Sequence, residues 1–234
     1  MPDRPSSGLS VLMPVFNELQ TVEAAIERVL AVNLSVDDLE LIVIDDGSTD
    51  GTSELLTSRT WPENVRLLQH DGNRGKGAAV RTGLEHATAS YCTIMDADLE
   101  YDPGNLHALL APLLDEDADA VYGVRGFQAH SAYSFWYVVG NKAVTFAANV
   151  LYNAWLSDLM TCQKVLKTSL FRALSLRASG FAVEAEITAR LLRSGARIYE
   201  VPITYRARRR EEGKKLTALD GLRVLATLLR CRVR

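Results

Sequence analysis

Cysteine is scarce and badly spaced for chemistry. Only Cys92, Cys162 and Cys231 are present, odd in number and far apart. No CxxC pair and no Cys/His zinc spacing appears. A disulfide framework is therefore not expected, and a reducing cytosol is. Nowhere do about 18 apolar residues run without a break, so no spanning helix is expected. The opening MPDRPSSG lacks the apolar core of a signal peptide. Histidines 70, 86, 107 and 130 are scattered, with neither HExxH nor a Ser-His-Asp order. Hydrolysis by a nucleophilic triad is thus unsupported. No G-x-x-x-x-G-K-[ST] is found and no G-x-G-x-x-G follows a strand, which disfavours kinase-like and NAD readings. A net charge of −3 is not that of a nucleic-acid polycation.

What remains is ordinary globular material. The chain has 234 residues, 47% apolar and 24% charged, enough for one large domain or one domain with an appendage. No internal repeat, low-complexity tract or linker stands out.

Short apolar runs alternate with helical patterns. Strands are expected at 9–14, 39–45, 65–70, 91–96 and 118–124, with helices at 18–32, 52–58, 75–88 and 103–114. That alternation implies βαβ crossovers and a mostly parallel sheet. Beyond residue 127 comes FWYVVGNKAVTFAANVLYNAWL (135–156), long and aromatic but broken by Asn141, Lys142, Asn149 and Asn153. It reads as one or two helices too polar to span a bilayer. Residues 180–205 read as helix, glycine stop and strand. The tail 214–234 is helical, with a stripe of Leu219, Leu222, Leu225, Ala226 and Leu229 flanked by Arg223 and Arg230.

In parallel sheets ligands sit beyond the carboxyl ends of the strands. There the sequence places PVFNE (14–18), DDGSTD (45–50), HDGNRGKG (70–77), DADLE (96–100) and GVRG (123–126). Asp96 and Asp98, two residues apart in an extended turn, point the same way, with Glu100 in register. Such an oxygen-rich edge suits a hard divalent cation, which takes one or two carboxylates and fills its shell with water and substrate phosphates. A solvated turn or helix cap is the alternative reading. Asp46 or Asp50 can cap the helix near Gly51, a role that suits Asp50. Asp45 can then accept from a base N–H or a ribose hydroxyl, as can Glu18 unless it is a first-turn helix acid. Lys76, at a glycine-rich helix start, can help hold an anion or be a solvated turn lysine. The basic run RARRREEGKK (206–215) is either a solvated face or suits a phosphate-bearing partner at a membrane surface. It lacks the interleaved aromatics of a nucleic-acid platform.

PVFNE, DDGSTDGT, NRGKG and DADLEYDP, in this order, resemble the family-2 inverting glycosyltransferases of the GT-A fold. GVRG, SDLMTCQKV, GFAVEAEI and EVPITYRARRREEGKKL are similar to the dolichyl/polyprenyl-phosphate mannose synthase branch. The likeness runs from about residue 9 to 218. It implies an α/β, Rossmann-like, mostly parallel sheet flanked by helices, with C-terminal amphipathic interfacial helices. The catalytic domain would be 1–215, with an interfacial helical segment at about 131–156, and 216–234 a basic amphipathic helix.

The resemblance also implies roles. Pro14, Val15, Phe16 and Glu18 would border the base, Asp45 and Asp46 meet base or ribose, and Lys76, Asp96 and Ala97 belong to the nucleotide site. Asp96, Asp98 and Glu100 would hold Mg²⁺ or Mn²⁺; Glu100 stands where mannose synthases commonly carry Gln. Asp98, Asp158 and Arg125 are the implied catalytic set, Asp158 orienting the acceptor. Arg125, Arg208 and Lys215 would take the acceptor phosphate, with Lys214 replacing the usual Ser. The implied reaction is metal-dependent, inverting transfer of a hexose from GDP-mannose or a UDP-hexose to a polyprenyl or dolichyl phosphate. The setting would be peripheral, on the cytoplasmic face of the membrane, with helices 135–156 and 216–232 in the interface or else serving as core and subunit contacts. No nucleic acid is expected; a homo-oligomer or a membrane-protein partner is compatible. A soluble or polymer acceptor is a second reading. An inert nucleotide-sugar-binding scaffold is a third, against which the intact DAD and DDGS argue.

Overall fold

The computed structural model describes residues 7–126, 135–207 and 218–233. Its strands are β1 (Leu9–Val15), β2 (Leu39–Asp45), β3 (Val65–Gln69), β4 (Tyr91–Ile94), β5 (Ala120–Arg125), β6 (Lys164–Lys167) and β7 (Ile198–Ile203). They form one sheet in the order β3-β2-β1-β4-β6-β5-β7. All pairings are parallel except those of β6, which runs against both β4 and β5. The helices are α1 (Val22–Leu30), α2 (Thr52–Ser58), α3 (Lys76–His86), α4 (Leu106–Leu114), α5 (Phe135–Tyr152), α6 (Thr168–Ala173), α7 (Val183–Ser194) and α8 (Ala218–Val233).

The mostly parallel α/β sheet is the one expected. β1 and β2 are buried almost throughout, which is why they read as continuous apolar runs rather than as alternation. Register aligns Val15 with Asp45 and Asp45 with Gln69, so the segments after β1, β2 and β3 emerge on one line. β4 ends at Ile94 opposite Leu12, further back, and Asp96–Asp98 follow as a turn beside that line.

Several boundaries differ for local reasons. The helix expected from residue 18 starts at Val22, because Glu18 O accepts from Thr21 N at 3.0 Å and Val22 N at 2.9 Å in a turn. α5 stops at Tyr152, where Asn153 takes the left-handed conformation at φ 49°. Asn149 then brackets the exit, donating to Leu156 O and accepting from Leu156 N, both at 2.9 Å. The glycine stop after α7 is Gly195, at φ 72°. β6 and α6 lie in 157–179, to which the sequence reading assigned no element.

α8 packs on α5 and α7. Val144, Ala148, Leu159, Ala185, Ala189, Val224, Leu228 and Cys231 form a second buried cluster there. Both long helices thus contribute to a core. Each also carries an outward apolar stripe: Phe135, Val139, Phe146 and Val150 on α5, with Trp155 beyond it, and Leu222, Leu229 and Val233 on α8. Among the described residues no helix is long and apolar enough to cross a membrane.

Candidate active site

A cavity of about 390 Å³ opens at the carboxyl end of the sheet. Pro14, Val15, Phe16 and Glu18 after β1, Asp46 after β2, Lys76 at the start of α3, Asp96, Ala97, Asp98 and Glu100 after β4, and Arg125 ending β5 all line it. The sequence is right to bring these together. The cavity walls not foreseen are Tyr101, Tyr137, Asn141, Cys162, Glu184 and Tyr205. Cys162 and Glu184 arrive with β6 and α7, and only their place inside quoted family segments signalled them.

The two acids that end β2 are already engaged. Asp45 accepts from Ser48 N at 3.0 Å and from the Ser53 hydroxyl, and it is absent from the cavity lining. Asp46 accepts from Gly75 N at 2.7 Å, Arg74 N at 2.9 Å and His70 Nδ1 at 2.7 Å. A carboxylate can only accept, so His70 is the donor. These bonds lace the glycine-rich turn to the end of β2 and settle why paired acids follow a buried strand: each is neutralised by local donors. Asp50 serves the start of α2, its Oδ1 accepting from Thr52 N at 3.1 Å, and it also takes Leu19 N at 3.2 Å.

Two of the amides that open α3 are likewise taken. Gly77 N donates to Ser179 O at 2.6 Å and Ala78 N to the same oxygen at 3.2 Å. A Cβ on Gly77 would stand 2.2 Å from Ala178 O, so only glycine lets segment 178–179 lie this close. Anion binding at this end of α3 is therefore left to Lys76, whose side chain lines the cavity.

Lys76 Nζ lies 2.8 Å from Asp96 Oδ1 and 3.0 Å from Oδ2. It is also 3.2 Å from Glu184 Oε1 and 3.3 Å from Cys162 Sγ. Burial opposes its charge, but Asp96 and Glu184 outweigh that and hold its pKa well above the ordinary lysine value. Burial, then Asp96, pushes the Cys162 thiol well up, so it stays protonated. Beneath them Lys164, fully buried, donates to Glu184 Oε2 at 2.5 Å and to Thr161 O.

At the end of β5 Arg125 pairs with Asp158. Asp158 does not itself line the cavity. Arg125 Nη1 reaches the Tyr137 hydroxyl at 3.2 Å, and the guanidinium lies over the Tyr205 ring at 5.1 Å. Tyr205 donates to Glu100 Oε2 at 2.5 Å. Burial first, then Tyr101, Tyr137 and Glu100, push the Tyr205 phenol up, so it donates rather than ionises. Arg208 and Lys215 lie outside the described residues.

Among the described residues no three His, Cys, Asp or Glu side chains gather as a metal site. Asp96 is held by Lys76, Asp98 Oδ1 accepts from Glu100 N at 3.0 Å, and Glu100 is held by Tyr205. Two carboxylates are nevertheless enough for a cation that shares its shell with phosphates. Asp96 and Asp98 face one cavity, and Asp96 already holds a positive charge, so these residues fit a divalent ion.

Residues 10–174 match the family profile described as glycosyl transferase family 2. Over 125 residues, 51% of the chain, the sequence is 34% identical to dodecaprenyl-phosphate galacturonate synthase of Rhizobium johnstonii, matching 36% of that protein. Over 200 residues, 85% of the chain, it is 28% identical to glycosyltransferase AglJ of Haloferax volcanii, matching 63% of it. The chain thus spans less than two thirds of either relative. A crystal structure of glucosyl-3-phosphoglycerate synthase from Mycobacterium tuberculosis, in complex with Mn²⁺, UDP and glucosyl-3-phosphoglycerate, aligns with a TM-score of 0.73. The alignment covers 97% of this chain and 80% of that one at 24% identity, a likeness of fold. That fold is the expected GT-A arrangement.

Proposed function

This chain belongs to glycosyl transferase family 2, and from that premise we propose that it transfers a hexose, with inversion, from a nucleotide diphosphate sugar to a polyprenyl phosphate. The observation that carries the reading is that Asp96, Asp98 and Arg125 line one cavity. An activated sugar held by its diphosphate at the acids would share that cavity with the arginine.

Pro14, Val15, Phe16 and Glu18 would border the base. Asp46 and Asp45 would act by fixing the loops rather than by touching it, since local donors occupy both. Asp96 and Asp98, with Glu100 beside them, would hold Mg²⁺ or Mn²⁺, whose contribution is to offset charge on the leaving diphosphate. Lys76 would turn its ammonium to a diphosphate oxygen. Arg125, fixed by Asp158 and Tyr137, would orient the acceptor phosphate, with Arg208 and Lys215 assisting. A phosphate oxygen then bonds to the anomeric carbon as the bond to the diphosphate oxygen breaks on the opposite face. That oxygen is ionised near neutral pH, so positioning matters more than a base.

The name of the Rhizobium relative supports a lipid phosphate acceptor. The outward stripes of α5 and α8, beside Arg223 and Arg230, suit a cytoplasmic membrane surface with anionic headgroups. A soluble acceptor is the second reading, favoured by the phosphoglycerate product named in the Mycobacterium structure.

The test incubates the protein with Mg²⁺ or Mn²⁺, a short polyprenyl phosphate and each of GDP-mannose and the UDP-hexoses. Release of GDP or UDP together with a glycolipid upholds the reading. Release that needs phosphoglycerate and ignores lipid replaces it with the second. No glycosyl product with any donor overturns it.

A further inference from the structure

We propose that Glu184 is a positioning residue that gives the Lys76 ammonium a second seat, so that a divalent cation can take Asp96 without driving the lysine from the site. The inference rests on the divalent-cation reading above.

Glu184 has no role in the chemistry described so far, yet it is buried beside it. Its two oxygens differ. Oε2 is bound by Lys164, a fully buried lysine that also donates to Thr161 O. Oε1 is buried, receives no well-aligned hydrogen bond, and lies 3.2 Å from Lys76 Nζ. A buried carboxylate oxygen in want of a donor is costly to keep. Here it stands within a short swing of an ammonium that now sits on both oxygens of Asp96.

The charges explain the use. Lys76 and Lys164 balance Asp96 and Glu184 when no ligand is bound. A divalent ion at Asp96 upsets that balance until a diphosphate restores it. Lys76 must leave Asp96 but stay near enough to meet the diphosphate. Glu184 Oε1 is the acceptor that lets it do both. Metal alone should therefore bind weakly, and metal with nucleotide diphosphate well.

The experiment measures Mn²⁺ affinity by electron paramagnetic resonance, without and with UDP or GDP, in four folded proteins. These are the wild type, Lys76→Met, the charge-conserving pair Lys164→Met/Glu184→Gln, and the triple substitution. Lys76→Met should bind Mn²⁺ alone about 10-fold more tightly, because no ammonium competes. The pair should weaken Mn²⁺ about 10-fold while Lys76 is present and change it less than about 3-fold once Lys76 is Met. An equal effect in both backgrounds, or no tightening in Lys76→Met, overturns the proposal. Should the pair fail to fold, Glu184→Asp replaces it, keeping the charge but drawing the free oxygen back, with the same two outcomes. Wild-type glycosyl transfer is assayed alongside. Transfer without coupling sinks this inference alone, and coupling without transfer sinks the functional reading alone.

Discussion

Arg125 and Asp158 form a two-pronged ion pair, Nε to Oδ2 at 2.7 Å and Nη2 to Oδ1 at 2.8 Å, with both residues under 5% exposed. Arg125 N adds a third bond to Oδ2 at 3.3 Å. A buried pair broken on one side leaves an uncompensated charge. Asp158→Ala should therefore cost about 3–5 kcal/mol, read by urea unfolding. Arg125→Met/Asp158→Leu should recover most of that stability yet remain inactive. If the double substitution turned over normally, Arg125 would have no part in acceptor binding.

Asp96 and Asp98 should both matter for activity, and Asp96 for stability as well. On the proposed reading, loss of either carboxylate would remove several kcal/mol of charge stabilisation for the leaving group, so Asp96→Asn and Asp98→Asn should each lower kcat roughly 10²- to 10³-fold. Asp96 pairs with the partly buried Lys76, so Asp96→Asn should also lower the melting temperature. Steady-state assays beside thermal melts test both halves.

Acid should weaken the far end of the sheet through Glu40. Its Oε1 accepts from the Ser10 hydroxyl at 2.5 Å, Thr88 N at 2.5 Å and Ala89 N at 3.1 Å. Burial raises its pKa, but the Ser10, Thr88 and Ala89 bonds outweigh that and leave it below the ordinary 4.5. The folded state thus binds this proton less readily than the unfolded chain. The stabilisation is complete above about pH 4.5 and is lost as pH falls through the lowered value. Glu40→Gln should cost about 1–3 kcal/mol at pH 7, flatten the stability profile on the acid side and leave transfer unchanged. Denaturant unfolding at stepped pH reads this directly.

Trp155 is 88% exposed and Phe146 69%. Substituting both with Ser should weaken binding to vesicles containing phosphatidylserine, seen by co-sedimentation, while transfer to a short, soluble polyprenyl phosphate persists. Equal vesicle binding by the variant and the wild type would rule out a membrane role for these residues.

The sequence made the first half of the sheet legible because β1 to β4 end in polar punctuation at regular spacing. Asp96, Asp98, Glu18, Lys76 and Arg125 could be placed by that rule alone. The rule assumes that every strand delivers its carboxyl end to the ligand. β6 runs the other way, so Cys162 approaches the cavity from before a strand rather than after one, and was missed. Glu184 was missed because a buried acid on an amphipathic helix looks like any first-turn glutamate. Asp45 and Asp158 show a different limit: Asp45 is held by nearby Ser48 and Ser53, Asp158 by Arg125 from β5, and neither lines the cavity. Only the folded arrangement of Ser53, Arg125 and their neighbours reveals that these carboxylates are already satisfied.

The same reversed strand bears on how the chain assembles. β4 is finished at Ile94, but its neighbour in the sheet is not made until Lys167. During synthesis the four-stranded half must wait with one flank of backbone donors and acceptors open. Then β6 arrives and bridges it to β5. Late closure of an inner seam exposes the nascent polypeptide to mispairing with other chains. Dependence on chaperones would follow from strand order, however well the finished interior packs.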